Sequence, residues 1–178
     1  MKVVFVFLIS CFSLLAQDQV QFHYTNLVES YYDKTNAKPI FIYNAKNGKI
    51  VDTLSNVEDK NSWYKIAILD SEYGWFKIKN IQRLPSSFKD FDYEDHWVKT
   101  QGFLIAVDNY DVNHHVYLYD EPTKYSNKIH KVDNFQLVAV AETTDLWAKV
   151  SFMVGKEKVE GWLSFEDQCA YPWTTCPK

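Results

Sequence analysis

Apolar and polar residues alternate in short runs along most of this chain. The stretch "KPIFIY" alternates up to Tyr43, breaks at Asn47-Gly48 and resumes at Ile50. "WYKIAIL" runs from Trp63 to Leu69, "DSEYG" interrupts it, and "WFKI" follows from Trp75. The second half reads the same way: "HHVYLY" reaches Tyr119, turns near Pro122 and resumes at Ile129. "FQLVAVAE", "LWAKVSFMV", the turn "GKEKVE" and "GWLSF" then follow. Alternation at period two marks strands with one buried face, and turn residues at short intervals mark the ends of small antiparallel sheets. After residue 16 no segment carries a 3.6-residue apolar period. The chain is expected to be all-β.

Parity assigns faces within each arm. Successive side chains point to opposite sides of a strand, so Tyr64, Ile66 and Ile68 form one set, opposite Trp63, Lys65 and Ala67. Phe76 and Ile78 likewise lie opposite Trp75 and Lys77. The apolar sets are expected to face a core and the Trp-and-Lys sets to face solvent or a groove. On this reading Ile66→Ala or Val150→Ala costs about 2–4 kcal/mol, whereas Lys65→Ala is nearly silent. Gly74 and Gly161, each preceding a tryptophan, are expected to form a bulge or permit close backbone approach.

The chain therefore states one pattern twice: Trp63-x-x-Ile66 with Gly74-Trp75-Phe76, then Trp147-x-x-Val150 with Gly161-Trp162-Leu163, each after a strand ending in Tyr43 or Tyr119. The duplicated pattern resembles the bacterial SH3 (SH3b) family over roughly residues 25–85 and 100–168. The tail "GWLSFEDQCAYPWTTC" is similar to endings of small exported SH3b-like proteins of Bacteroidetes-type bacteria. The resemblance implies two small, strongly bent β-barrels in tandem. Their expected spans are 17–86 and 100–168, joined by an acidic linker at 87–99 and followed by a tail at 169–178. It also implies a ligand-binding or targeting module, often for cell-wall peptides, with a tryptophan at the groove edge. The expected binding face is Tyr43, Trp63 and Trp75, with Tyr119, Trp147 and Trp162 in the second copy. Lys77 and Ser164 stand where the family's eukaryotic relatives carry a polyproline-binding proline, so polyproline recognition is not expected. The acidic loop "DTLSNVEDKNS" before Trp63 would suit a basic or amine-bearing ligand.

Composition narrows the partners. Of 178 residues, 47% are hydrophobic and 17% aromatic, enough for a core, and net charge is −4. Arg83 is the only arginine. An acidic chain without guanidinium clamps is a poor match for nucleic acid, where affinity rests on neutralised phosphates.

The first residues, "MKVVFVFLISCFSLLAQ", place Lys2 before an apolar run that ends at Ala16. This is the plan of a secretory leader, expected to be cleaved to leave Gln17 first. The run is shorter than the about 20 residues a spanning helix needs. Leu8-Ile9-Ser10-Cys11 fits a lipobox, which would instead anchor the protein through a lipid on Cys11, but the apolar run continues beyond it. Export to the periplasm or the medium leaves two cysteines, Cys169 and Cys176. An oxidising compartment is expected to join them and pin the tail, a bond worth roughly 2–3 kcal/mol for so short a loop.

Catalytic patterns are sparse. Neither Gly-x-Ser-x-Gly nor His-Glu-x-x-His occurs, and a disulfide-bonded cysteine cannot act as a nucleophile. "DFDYEDHW" at 90–97 could hold a hard cation but is read as a solvated linker. His114 and His115 are read as strand-edge residues that point opposite ways. No cofactor or metal is expected. The functional expectation is a non-enzymatic binding module recognising a peptide, cell-wall fragment or partner protein. A secreted inhibitor or immunity-type protein is the alternative, and an undetected hydrolase ranks third.

Overall fold

The computed structural model describes residues 23–55, 62–85, 89–108, 111, 113–171 and 176. The segment 1–16 expected to be a leader, with Cys11, lies outside the described residues, as do residues 56–61 of the acidic loop. Alternating β-branched and aromatic residues form strands throughout, as suits a pleated, half-buried surface. The first half holds β1 (Val28–Tyr32), β2 (Ile40–Tyr43), β3 (Ile50–Leu54), β4 (Ser62–Glu72), β5 (Trp75–Pro85), β6 (Lys89–Phe91) and β7 (His96–Lys99). The second holds β8 (Phe103–Val107), β9 (Val116–Tyr119), β10 (Lys128–Val132), β11 (Leu137–Thr144), β12 (Trp147–Val154), β13 (Glu157–Leu163), a 3-10 turn at Phe165–Asp167, and β14 (Gln168–Cys169). Among the described residues there is no α-helix, and the chain is all-β.

The strands join one antiparallel sheet that repeats a single path. The order β1-β4-β5-β7-β2-β3 recurs as β8-β11-β12-β13-β9-β10, and β1 pairs with β8 where the two copies meet. β6 and β14 are added at the side, on β5 and β8. The two units are thus halves of one continuous sheet. Tight turns make the hairpins possible: Tyr73 and Gly74 take φ of 47° and 83° between β4 and β5, and Asp145 takes 48° between β11 and β12.

This pairing corrects the alignment of the repeat. Glu72 pairs with Trp75 at the start of β5, and Thr144 pairs with Trp147 at the start of β12. Trp75 is therefore the counterpart of Trp147, and no tryptophan of the second unit corresponds to Trp63. Tyr43 pairs with Trp97 on β7, as Tyr119 pairs with Trp162 on β13. The shared sequence signature is Trp75-Phe76-Lys77-Ile78 against Trp147-Ala148-Lys149-Val150. Segment 87–99, expected to be a linker, supplies β6 and β7, which pair along β5. Its carboxylates are engaged locally: Asp90 with Asn80, Glu94 with Lys79, and Asp95 with Lys77.

The core lies on the predicted face. Ile66, Ile68, Phe76 and Ile78 pack with Val138, Val140 and Val150 of the second unit in one continuous cluster. The opposite face departs from expectation. Lys65 and Ala67 are each 1% exposed, because the segment before β1 and the tail after β14 cover this side of β4. Leu84, Ala106, Cys169, Ala170 and Tyr171 form a second, smaller apolar cluster there. The Lys65 ammonium is held by Glu29 Oε1 at 2.5 Å and by the Tyr171 hydroxyl at 3.2 Å. Glu29 also meets His23 Nδ1 and accepts from the Tyr24 N–H. Burial lowers the Lys65 pKa against the opposing pull of Glu29, and burial raises that of Tyr171. Cys169 and Cys176 are joined, with Cα atoms 5.5 Å apart, and the bond ties down the segment that carries Tyr171.

Candidate functional site

Each unit brings one tyrosine against one tryptophan. The Tyr43 and Trp75 rings meet edge to face at 4.8 Å and 87°, and Tyr119 and Trp147 at 5.5 Å and 84°. The pairing follows from the topology: β2 reaches β5 across β7, so the last residue of β2 lies near the first of β5. Such contacts favour the electropositive ring edge on the π face and fix both orientations. The Lys99 ammonium lies over the Trp75 ring at 5.4 Å. Trp162 pairs with Tyr119, and the Lys149 ammonium stands over its ring at 6.0 Å.

Trp63 is not part of this group. It pairs with Leu84 at the far end of the β4–β5 hairpin, whereas Glu72 pairs with Trp75 at the turn. At about 3.3 Å per residue the two ends lie about 25–30 Å apart. Trp63 is half-buried, with the Lys34 ammonium 4.6 Å from its ring centre. The expected Tyr43–Trp63–Trp75 face is accordingly two separate places.

Beside Tyr43 opens a cavity of 340 Å³. Its walls are the loop between β1 and β2 (Asn36, Lys38, Pro39), the start of β2, and the β7–β8 turn with Lys99 and Gln101. Tyr32 and Phe103, in edge contact at 5.1 Å, form its floor. The loop is held before any ligand arrives. Tyr32 donates its hydroxyl proton to the Lys38 carbonyl at 3.1 Å, the Asp33 N–H to the Gly102 carbonyl at 2.8 Å, and the Lys38 N–H to Asn36 Oδ1 at 3.1 Å. Gly102 is required here: its φ is +91°, and a Cβ would stand 2.7 Å from the Tyr32 ring. Cavities of this size suit small ligands or a few residues of peptide.

A second cavity, of 230 Å³, lies between the disulfide and the Glu29 cluster. Glu29 is already engaged by Lys65, His23 and the Tyr24 N–H. Its charge is therefore spent inside the protein, and the first cavity is the better recognition site.

Among the described residues, His114, Asp167 and Ser164 come together in the second unit. His114 Nε2 lies 2.6 Å from Asp167 Oδ1, and Ser164 Oγ donates to Asp167 Oδ2 at 2.7 Å. The order is His–Asp–Ser, so the hydroxyl faces a carboxylate and has no imidazole to take its proton, unlike a hydrolytic triad. Among the described residues no three His, Cys, Asp or Glu side chains converge as metal ligands. Lys38 and Gln101 lie in loops, where no periodicity marks a face, and Lys99 ends a four-residue strand too short to show one. Trp97 carries neither the Gly-Trp nor the Trp-x-Lys-aliphatic mark: His96 precedes it where Gly161 precedes Trp162, and Thr100, not an aliphatic residue, follows Lys99.

The sequence matches no protein-family model and no curated protein. Among solved structures it is similar to NlpC2 from Trichomonas vaginalis, with 12% identity and a TM-score of 0.34 over 88% of this chain and 52% of that one. It is also similar to NlpC1 from the same organism, with 12% identity and a TM-score of 0.31 over 83% and 47% of the two chains. The chain spans about half the length of these two neighbours, and so distant a likeness carries no argument about activity.

Proposed function

We propose that this chain is an exported, non-enzymatic binding module of two SH3b-like units, recognising a peptide, a cell-wall fragment or a partner protein outside the cytoplasm. The observation that carries the reading is the preformed 340 Å³ cavity beside the Tyr43–Trp75 pair, walled by aromatic rings and by amide and ammonium groups. A binding site needs fixed apolar walls and a few placed polar groups, and this cavity has both. The disulfide supports folding in an oxidising compartment, in keeping with the leader. The alternative, a secreted inhibitor or immunity-type protein, draws on Tyr73 and Tyr125, which project from turns at 91% and 100% exposure.

Sedimentation with purified sacculi, run beside affinity capture from a periplasmic extract, separates the two. A wall binder pellets with sacculi, and Tyr43→Ala weakens it by about 1–3 kcal/mol, as loss of an anchor aromatic does, while Trp63→Ala does not. An inhibitor stays in the supernatant and co-purifies with one enzyme through Tyr73 or Tyr125. Binding lost with Trp63→Ala and kept with Tyr43→Ala would move the site to the other end of the hairpin.

A further inference from the structure

The two units can be compared position by position around this cavity. Counted outward from the pairs Tyr43–Trp97 and Tyr119–Trp162, Lys38 corresponds to His114 and Lys99 to Ser164. In the second unit these two positions converge on a carboxylate of the chain itself. Asp167, 7% exposed, takes hydrogen-bond contacts from His114 Nε2 and Ser164 Oγ. The first unit has the donors without the acceptor. Neither Asp nor Glu lines its cavity, and among the described residues neither Lys38 nor Lys99 meets a carboxylate. Lys65, Lys77, Lys79, Lys124 and Lys131, by contrast, are all ion-paired within the chain.

We infer that the first-unit cavity binds a carboxylate-bearing ligand, such as the carboxyl end of a peptide, whose anionic group takes the place that Asp167 fills in the second unit. The inference rests on the cavity being the binding site, and it names what enters. Lys38 and Lys99 supply opposite-sign charge from two different segments, the β1–β2 loop and the end of β7. Tyr32, Tyr43 and Phe103 receive the apolar body of the ligand, and the Gln101 amide offers a further hydrogen bond. The polarity is the reverse of that expected from the acidic loop, which leads to Trp63 and so to the other end of the hairpin. The second unit, closed by its own Asp167, does not bind the same ligand.

The test is a chemical-shift titration of the full mature chain with acetyl-dialanine and, separately, with its carboxamide. The free acid is expected to move the backbone amides of Asn36 and Gln101 and the Trp75 indole at millimolar concentration, leaving the Trp147 indole still. The carboxamide, which differs only in charge, is expected to bind at least about tenfold more weakly, or about 1.4 kcal/mol. Lys38→Gln and Lys99→Gln should each weaken the acid several-fold while the rest of the spectrum is kept; among the described residues Lys38 stacks on no ring, so its variant serves if Lys99→Gln disturbs Trp75. Equal response to acid and amide, no response to either, or an inorganic phosphate effect as strong as the acid's would overturn the carboxylate site. Sedimentation with sacculi that persists through such a failure would leave the binding reading standing and remove only its ligand.

Discussion

Gly102 and Gly74 both hold positive φ, at +91° and +83°, yet they answer to different constraints. Nothing lies within 4 Å of where a Gly74 Cβ would stand, so Gly74→Ala meets only the left-handed backbone cost of about 1–2 kcal/mol. At Gly102 the same cost is joined by overlap with Tyr32 and the Asn36 amide. Gly102→Ala is therefore expected to destabilise by about 2–4 kcal/mol, the sum of backbone and overpacking effects, and to disturb the cavity floor. Urea denaturation of both variants tests this, and equal losses would remove the packing argument. Gly161 differs again: it lacks positive φ, and a Cβ would come within 2.8 Å of Ile129 Cδ1 and 3.0 Å of Leu118 Cβ. Close approach, one of the two roles read from its place before Trp162, is the role it has.

On β4 the alternation Trp63, Lys65, Ala67 against Tyr64, Ile66, Ile68 was legible, and the assignment of Ile66 to the core holds at 0% exposure. What alternation cannot state is whether another layer lies on the second face. Here β1 brings Glu29 opposite Ala67, and the tail brings Tyr171, so a lysine written like a surface residue becomes a buried ion. Truncating one member of a buried pair strands the other, at about 3–5 kcal/mol. Lys65→Ala is expected near about 3 kcal/mol, the low end of that range, since His23 and the Tyr24 N–H remain on Glu29. It should thus match Ile66→Ala, at about 2–4 kcal/mol, in urea melts. A silent Lys65→Ala would mean that the second face opens in solution. The register of the repeats is hidden for a related reason: Gly74-Trp75 opens β5, whereas Gly161-Trp162 lies near the end of β13, the counterpart of β7.

Over the whole molecule the Cys169–Cys176 bond holds a cover in place and contributes little to the sheet beneath, since Tyr171 reaches Lys65 from outside the ladder. Replacing both cysteines with Ala should preserve the far-UV spectrum. It should also make Lys65 reactive to an amine acetylating reagent that leaves it untouched in the parent; continued protection would show that packing alone seats the tail. Alkali should act more broadly. Burial raises the pKa of Tyr24, Tyr32, Tyr64, Tyr93 and Tyr171, so each keeps its proton longer folded than unfolded. Their contribution is fully present below the ordinary tyrosine pKa of about 10 and is lost as pH rises through the folded values. Stability should fall steadily above about pH 10, and a flat profile there would contradict the burial of these rings.

The junction of the two units has a twofold character. Tyr31 pairs with Leu104 across β1 and β8, and beyond that point β14 takes over this edge of β8, with Cys169 opposite Ala106. By the strand equivalences Glu29 matches Leu104 and Tyr31 matches Ala106, so β1 and β8 are equivalent strands that meet antiparallel. Ser71 and Thr143, also equivalent, meet as well: the Ser71 hydroxyl donates to the Thr143 carbonyl at 2.9 Å and accepts the Thr143 N–H at 2.7 Å. An isologous contact of this kind is the one two identical subunits make. The molecule is thus built as a homodimer whose partners share one polypeptide. Covalent joining frees the partners from having to be identical, so one copy can hold Asp167 where the other holds an open cavity. A single unit expressed alone would present a raw β1 edge and, by the same symmetry, find its mate in a second copy of itself.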